Sequence, residues 1–558
     1  MEVNECNYEA LSLDQACAVF ENGKSNFHLW IYSVISDCIS CPFSKICRVD
    51  SQRSASFVFN SAKIHTWRIF YGDDLGDYKF PNDTRDLICE LKPRLGQYGL
   101  YKVTVEDSGC EIDTIRQPTN PYTPVLVIFA LLLCTLLLLS SGRILTRHFR
   151  RRKPGNSSAA ESTEERPTAK RRVQSIDTFR GMSILMMIFV NNGAGDYAVL
   201  EHKTWDGLFM GDLVFPSFIW IMGVCIPIAL TSQLSRGVAR WRICGNIIKR
   251  GFLLFFIGVC LNTIGTNAQL EKIRVFGVLQ RFGVAYLVVG IIYVLLSRRQ
   301  SPKCQHGILA KTEDCLSLLP QWIVILSIVA AHCGITFWLK VPGCPTGYLG
   351  PGGNHRYGEY FNCTGGAAGY IDKLILGIDH IYQHPTIDSV YGSGPFDPEG
   401  ILGCLTTIFQ TFLGVQAGKI LRVHKNWKSR IVRWMILSLI YGVIGSVLHF
   451  RNVIPVNKNL WSVSFVLLTT SFALALLTAC YLLVDVARVW NGGPFRIPGM
   501  NALIMYIGHQ MCYQIFPFHW RYGAMNTHYW RTIAGLWEVS LWAIIAYIMH
   551  RKRIYISL

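Results

Sequence analysis

The segment Gln174–Gly223 reads QSIDTFRGMSILMMIFVNNGAGDYAVLEHKTWDGLFMGDLVFPSFIWIMG, with two apolar stretches on either side of a polar connection. The stretches Met182–Val190 and Leu213–Gly223 are, together with their flanks, long enough to form membrane helices. The polar or titratable residues between the two helices are Asn191, Asn192, Asp196, Glu201, His202, Asp206 and Asp212. Because polar groups beside hydrocarbon cost free energy, this segment predicts a functional site at one face of a membrane helix bundle.

His202 is the candidate for proton transfer in this connection, because a neutral imidazole takes up and returns a proton near neutral pH. The alternative is a solvated loop histidine, which is the commoner role of a lone histidine. The neighbouring carboxylates and amides strengthen the interpretation as a chemical site.

The composition excludes a soluble globular protein, since 51% of the 558 residues are hydrophobic and the mean hydropathy is +0.28. The net charge of +18 is typical of proteins that bind nucleic acid. The basic residues, however, cluster beside apolar runs, as in Arg147–Lys153, Arg236–Arg242 and Arg551–Arg553. Basic clusters in that position set the topology of a membrane protein. The sequence therefore predicts a lipid bilayer as its surroundings and no nucleic-acid partner.

Residues 1–121 predict a small β-rich domain, because apolar and polar residues alternate in Ser54–Asn60 and Leu100–Asp107. The domain contains seven cysteines: Cys6, Cys17, Cys38, Cys41, Cys47, Cys89 and Cys110. That density predicts disulfides in an oxidising compartment. Zinc at Cys38 and Cys41 is the competing interpretation, disfavoured because the domain has only His28 and His65. The sequon at Asn82 predicts a glycan on the non-cytosolic side.

The first residues, MEVNECNYEALSLDQ, have neither the basic nor the apolar region of a signal peptide. We expect either that the true start of the protein lies upstream or that the first membrane helix directs translocation of the domain.

Long apolar runs after residue 121 predict a polytopic α-helical membrane protein. The first membrane helix occupies 122–147 and is followed by a disordered, basic, cytosolic linker at 148–173. Ten further spans fill residues 174–558, at roughly 176–192, 209–232, 245–263, 274–297, 319–341, 398–420, 429–449, 461–485, 499–518 and 531–550. The total of eleven puts the N-terminal domain in the lumen and the basic C-terminus in the cytosol.

This topology places His202 toward the lumen, on the same side as a large loop at 341–400. The loop carries a sequon at Asn362, together with Cys344 and Cys363, and a bridge from either cysteine to the N-terminal domain would attach that domain to the membrane body. His380 and His384 have a spacing that can bind zinc on a helix. Because no third ligand is near, a surface helix is favoured and no metal is predicted.

Polar residues within the spans form a second group: Asp177, Thr178, Arg180, Arg274, Gln280, Arg281, Asn501, His509 and Gln510. Such residues commonly make hydrogen bonds between helices. For the arginines a place beside an anionic ligand is an equal alternative, since a guanidinium binds phosphate with two parallel hydrogen bonds.

A set of motifs along 174–558 resembles the family of heparan-α-glucosaminide N-acetyltransferases, which are lysosomal transmembrane enzymes. The motifs are, in order, SIDTFRG, FVNNGAG, EHKTW, DLVFPSFIWIMG, VLQRFGV, VPGCPTGYLGPGG, NCTGGAAGYID, DPEGILG, FLGVQAGKIL, PVNKNLWS and PGMNALIMYIGH. The resemblance implies that cytosolic acetyl-CoA acetylates the terminal glucosamine of heparan sulfate inside the lysosome. It also implies a homodimer, His202 as the catalytic histidine and Asn191 beside it.

The chemistry assigns roles to these residues. His202 acts as general base in a direct transfer, or is itself acetylated and passes the group on. Asn191 donates to the oxyanion of the tetrahedral intermediate, and Asp206 or Asp212 orients His202. The residues expected to hold acetyl-CoA are Arg180, Lys249, Arg250, Arg274, Gln280 and Arg281.

Two other classes of function compete with this interpretation. A transporter would use the same polar residues as a permeation path, but the sequence has no convincing internal repeat. A membrane-anchored receptor would leave the polar helix interiors unexplained. The C-terminal Tyr555–Leu558, a Tyr-x-x-apolar pattern, adds to the expectation of a lysosomal membrane protein.

Overall fold

The computed structural model describes residues 6, 10–23, 27–72, 76–106, 109–151, 172–264, 269–297 and 313–556. Most of the predicted linker at 148–173 lies outside these residues, as does its Asn156.

The described part of the N-terminal domain is β-rich, as the alternating pattern predicted, and its strands form a sandwich of two β-sheets. Its strands are β1 Gln15–Asn22, β2 Leu29–Ile35, β3 Phe43–Val49, β4 Ser54–Asn60, β5 His65–Tyr71, β6 Tyr78–Lys79, β7 Leu87–Leu91, β8 Leu100–Glu106 and β9 Gly109–Arg116. One sheet has the order β4-β1-β8-β9 and the other β6-β3-β2-β5-β7. Alternate residues of β8 face inward, so Tyr101, Val103 and Val105 pack in the core between the sheets.

Helices make up the described chain beyond the sandwich. They are α1 Thr123–Arg151, α2 Gln174–Asn191, α3 Val214–Ser235, α4 Arg240–Asn262, α5 Val278–Leu296, α6 Glu313–Leu316, α7 Leu319–Trp338, α8 Ala367–Leu376, α9 Asp388–Tyr391, α10 Ile401–Val423, α11 Trp427–Phe450, α12 Val463–Cys480, α13 Arg496–Met500, α14 Ala502–Met511 and α15 His528–Arg551.

Eight helical segments of the described chain are long and apolar enough to cross a membrane, which confirms a polytopic helical protein. They are Met210–Ser235, Arg240–Asn262, Val278–Leu296, Leu319–Trp338, Ile401–Val423, Trp427–Phe450, Val463–Val486 and His528–Arg551. The other three predicted spans correspond to α1, to α2 and to the region of α13 and α14. The count of eleven therefore stays a prediction.

Two of those three regions are not single, long apolar helices, and the structure shows why. The first turns of α2 carry Asp177 and Arg180, which lower its hydropathy. The predicted span 499–518 is divided between α13 and α14, and the helix ends at Met511.

Helix α10 lies at the centre of the bundle, and glycines allow its close approach to α3. A Cβ atom on Gly414 would lie 2.1 Å from the carbonyl oxygen of Trp220, and one on Gly223 would lie 2.0 Å from that of Thr411. Small residues bring helix backbones together in this way inside membranes. The contact fixes α3, which begins two residues after Asp212.

The β-sandwich docks on the loop 341–400 through polar contacts. The Tyr391 hydroxyl donates to the carbonyl oxygen of Asp37 at 2.8 Å and accepts from the backbone N–H of Ile39 at 3.2 Å. Lys203 Nζ lies 3.4 Å from Asp37 Oδ1, so the sandwich also contacts the residue after His202.

The disulfides answer a question that the sequence left open. The pairs are Cys6–Cys17, Cys38–Cys41, Cys89–Cys110 and Cys344–Cys363. Cys344 and Cys363 thus pair with each other, and Cys47 is a free thiol. The sandwich is held to the membrane body by the contacts just described rather than by a bridge to these two cysteines.

Candidate active site

A sharp reversal of the chain after α2 brings the polar connection back over the helix ends. Ala194 and Asp196 have φ values of 49° and 57°, in the left-handed region that L-residues seldom adopt. Gly211 lies against the returning chain, because a Cβ there would lie 2.6 Å from the Leu200 carbonyl oxygen and 3.1 Å from His202 Nδ1. The reversal thus sets His202 directly beside the start of α3.

Asp212 is the carboxylate that contacts His202. It is fully buried, and its Oδ2 accepts hydrogen bonds from the backbone N–H groups of Lys203 at 3.1 Å and Phe209 at 3.0 Å. Its Oδ1 lies 2.9 Å from His202 Nδ1. Two backbone donors hold the carboxylate in place, so it can orient the imidazole and leave Nε2 directed away from it.

Asp206, the other candidate from the sequence, has a different partner. Its Oδ1 accepts from Asn457 Nδ2 at 3.1 Å, and burial raises the pKa of its carboxyl group. Of the two carboxylates, the structure therefore brings only Asp212 within hydrogen-bonding distance of His202.

Lys458 completes the surroundings of His202 and was given no role in the sequence analysis. Its Nζ lies 2.9 Å from His202 Nδ1 and 3.4 Å from Asp212 Oδ1. Burial, helped by the positive charge of Arg281, lowers the pKa of Lys458 in spite of its acidic neighbours. Lys458 belongs to the PVNKNLWS motif, which supported the family resemblance but did not by itself indicate a role for this lysine.

Asn191 ends α2 and is held by a histidine from α14. Asn191 Nδ2 lies 2.9 Å from His509 Nε2, and His509 Nδ1 lies 3.1 Å from the Met505 carbonyl oxygen. Since Nδ1–H donates to that carbonyl, Nε2 accepts from Asn191. The second N–H of the Asn191 amide is left for another acceptor.

His202, Asn191 and Lys458 line one cavity of about 330 Å³. Its other polar lining residues are Asn192, Glu399, Tyr506, His509, Gln510, Tyr513 and Glu538. Glu399 and Glu538 are nearly buried, and neither was assigned to the site from the sequence. Burial opposes ionisation of Glu399, but the positive charges of Arg274, Arg281 and Lys458 outweigh it and lower the pKa.

A second cavity, of about 210 Å³, lies at the other end of α2 and is mainly apolar. Arg180 and Arg250 line it, and the Arg250 guanidinium lies over the ring of Tyr286 at 4.6 Å. Met187 and Tyr506 line both cavities. Lys249 is exposed and does not line either of these two cavities.

The remaining residues predicted to hold acetyl-CoA, Arg274, Gln280 and Arg281, do not line this second cavity. Arg274 makes ion pairs with Asp397 at 2.6 Å and Glu399 at 2.5 Å. Arg281 donates to the Pro398 carbonyl oxygen at 3.0 Å and lies over the Trp461 ring, while Gln280 donates to the Val275 carbonyl oxygen. These contacts connect the chain at the start of α5 to the chain just before α10. A role of the three residues in binding the acetyl donor stays a prediction.

His380, one member of the histidine pair in the loop 341–400, ends a short 3-10 turn, and its Nδ1 lies 2.8 Å from the Ile273 carbonyl oxygen. Across the part of the chain that the structure describes, no three histidine, cysteine or carboxylate side chains converge as a metal site would require. Both sequons with described asparagines, at Asn82 and Asn362, are exposed.

Comparisons with known proteins agree on one family. Residues 172–304 match the family described as heparan-alpha-glucosaminide N-acetyltransferase, catalytic. The human heparan-alpha-glucosaminide N-acetyltransferase is 36% identical over 99% of this chain and 89% of its own length. The mouse protein of the same name is 35% identical over 99% of this chain and 90% of its own length.

Proposed function

This chain belongs to the heparan-alpha-glucosaminide N-acetyltransferase family and is therefore an N-acetyltransferase, and we propose that it transfers the acetyl group across a membrane. Acetyl-CoA binds from the cytosolic side, and the terminal glucosamine of heparan sulfate accepts the acetyl group in the lysosome lumen. The observation that carries this proposal is the pair of cavities that share Met187 and Tyr506.

The cytosolic cavity suits the donor. Arg180 and Arg250 supply positive charge for the phosphates of the nucleotide. The apolar walls formed by Phe218, Phe282 and Leu503 suit a thin pantetheine arm that extends toward Met187. The thioester then reaches the first cavity, where His202 and Asn191 lie.

The lumenal cavity suits the reaction. The acceptor is an amine that is largely protonated at acidic pH and must lose a proton before its nitrogen attacks the thioester carbonyl carbon. His202 Nε2 accepts that proton while Asp212 holds Nδ1. The neutral amine then adds to the carbonyl carbon to give a tetrahedral intermediate. When that intermediate collapses, the C–S bond breaks and the second N–H proton passes to the departing sulfur, so CoA leaves as the thiol. In the alternative route, Nε2 attacks the carbonyl carbon first and the amine then attacks the acetyl-imidazole.

The free N–H of Asn191 donates to the carbonyl oxygen as it becomes an oxyanion. Such a donor typically contributes about 3 kcal/mol to the stability of the transition state. The hydrogen bond between Asn191 and His509 fixes the amide before the substrate arrives, so no reorganisation is needed during the reaction.

The test is a sided assay in proteoliposomes. Labelled acetyl-CoA is supplied on the side of Arg180 and a glucosaminide on the side of His202. We expect turnover only with this arrangement and loss of turnover in His202→Ala. The matched control is His384→Ala, because His384 is an exposed histidine of the loop 341–400, on the same proposed side of the membrane as His202. More than a tenth of normal turnover in His202→Ala would reject the assignment. Labelled acetyl found on His202 without acceptor would select the two-step route.

We further propose a lysosomal membrane protein that works as a homodimer, with the sandwich and the loop 341–400 in the lumen and the C-terminus in the cytosol. The exposed Asn82 and Asn362 then carry glycans and Asn156 stays bare. Glycosidase digestion of single sequon variants tests the orientation, and a glycan on Asn156 would invert it.

A further inference from the structure

Three groups share one corner of the lumenal cavity. His202 Nδ1 lies 2.9 Å from Asp212 Oδ1 and 2.9 Å from Lys458 Nζ, and the last two atoms are 3.4 Å apart. Asp212 is an acceptor with two backbone donors already on its Oδ2, so it is held as a carboxylate. The state of His202 therefore depends on where the protons of Lys458 and Nδ1 lie.

A proton on Nδ1 and an ammonium at Lys458 are an unfavourable combination, because the two nitrogen atoms are only 2.9 Å apart. If Nδ1 carries the proton, it donates to Asp212, and an ammonium at 2.9 Å would set one N–H group against another. If Lys458 is an ammonium, it donates to an unprotonated Nδ1, and the proton of the neutral ring lies on Nε2. In the second state Nε2 has no lone pair for the substrate.

We propose that Lys458 is a positioning residue that exchanges one proton with Nδ1 of His202 and so decides whether Nε2 is a base. The inference rests on the proposed function, since it deepens the role given to His202. Both routes for acetyl transfer begin with a lone pair on Nε2, and both are therefore favoured by a neutral amine at Lys458.

The surroundings of Lys458 support both of its charge states. Its side chain is only 15% exposed, and Arg281 opposes an ammonium there. Asp212 and Glu399 favour the ammonium, so the cost of charging Lys458 is partly offset. These opposing influences bring the free energies of the amine and the ammonium closer together. A proton can then pass to Lys458 and leave it again during a catalytic cycle.

The acceptor loses two protons in the direct route: the one followed here leaves before attack, and the second passes to the CoA sulfur as the C–S bond breaks. The amine proton moves to Nε2, and the Nδ1 proton moves to Lys458 Nζ, which becomes an ammonium between Asp212 and Glu399. His202 ends neutral with its proton on Nε2, and Asp212 remains a carboxylate throughout. The partly exposed Lys458 returns its extra proton to lumenal water, and Nδ1 regains a proton as Nε2 releases its own to water.

The test compares a permanent cation with a neutral side chain. In Lys458→Arg the guanidinium always donates to Nδ1 or occupies Asp212, and kcat should fall by about a thousandfold or more, as for a histidine in the wrong tautomer. In Lys458→Met, Asp212 alone holds Nδ1–H, and kcat should fall by only about tenfold to a hundredfold. The KM for both substrates should stay within about twofold in each variant.

Controls separate this inference from the simpler ones. Lys340→Arg and Lys340→Met, at an exposed lysine after α7, should both keep normal turnover. Thermal unfolding of the purified protein checks folding, and Lys458→Leu serves as a second neutral variant if Lys458→Met is unstable.

Turnover in Lys458→Arg equal to or above that of the neutral variants would overturn the proposal. If the acceptor KM rises in Lys458→Met and returns to normal in Lys458→Arg, Lys458 would instead be a binding site for substrate anions. His202→Ala is inactive in all these outcomes if the proposed function holds.

Discussion

Met187 of α2 and Tyr506 of α14 stand at the junction between the cavity that contains His202 and the cavity that contains Arg180. Both side chains belong to helices that contribute to each cavity, so the junction is a property of helix packing. The acetyl donor must pass these two residues if the nucleotide stays at Arg180 and the thioester reaches His202.

The junction gives the first prediction. Met187→Trp adds bulk where the two cavities meet, so transfer between opposite sides should fall by at least about tenfold. The measurement is turnover in the sided proteoliposome assay. Met435→Trp, the same change on the exposed face of α11, should have little effect. Normal turnover in Met187→Trp would mean that the donor does not use this junction.

The second prediction concerns Asn191. Asn191→Ala removes the donor to the oxyanion and should lower kcat by about a hundredfold, with little change in either KM. The control is Asn246→Ala, at an exposed asparagine of α4. An unchanged kcat would remove Asn191 from the mechanism.

The third prediction concerns the donor site. Arg250→Gln should raise the KM for acetyl-CoA by about tenfold, because a charge-assisted hydrogen bond to phosphate is lost. The glucosaminide KM should not change. Lys249→Gln, at an exposed neighbour outside the two cavities, should have a smaller effect, and the exposed Lys428→Gln is the control. Equal increases in both KM values would indicate a structural role for Arg250.

The fourth prediction concerns pH. Burial, together with the charge of Asp397, raises the pKa of Asp372 on α8 to about 7. The folded state then keeps a proton that the unfolded state releases near the ordinary aspartate pKa of 3.8. Stability from this group is therefore present at acidic pH and is lost as pH rises through about 7.

The expected loss between pH 5 and pH 8 is on the order of 2 kcal/mol. It is measured as a falling melting temperature of the purified protein across that range. Asp372→Asn keeps an acceptor for the backbone N–H of Ile401, which Asp372 now binds at 2.8 Å, but does not titrate. The variant should show a flatter pH profile. The same slope in both proteins would assign the pH dependence to other groups.

The sequence by itself determined the class of the fold and the region of the site. The apolar runs predicted the membrane helices, and alternation in Ser54–Asn60 predicted β4 with the bounds observed. Both signals are local, because helix and strand periodicity is written in neighbouring residues. His202 and Asn191 were also found in this way, since they fall in one short polar connection between apolar stretches.

Only the tertiary structure decided which groups meet at the site. It chose Asp212 rather than Asp206 as the partner of His202, because Asp206 binds Asn457. It brought Lys458 to His202 across 256 positions of sequence and paired Arg274 with Asp397 and Glu399. These contacts depend on how distant helices and loops pack, through close approaches such as that of α3 and α10. No periodicity in the sequence encodes those distances, so the sequence predicted His202, Asn191 and Asp212 as members of the candidate site, but neither Lys458 and Glu399 nor the hydrogen bonds between these groups.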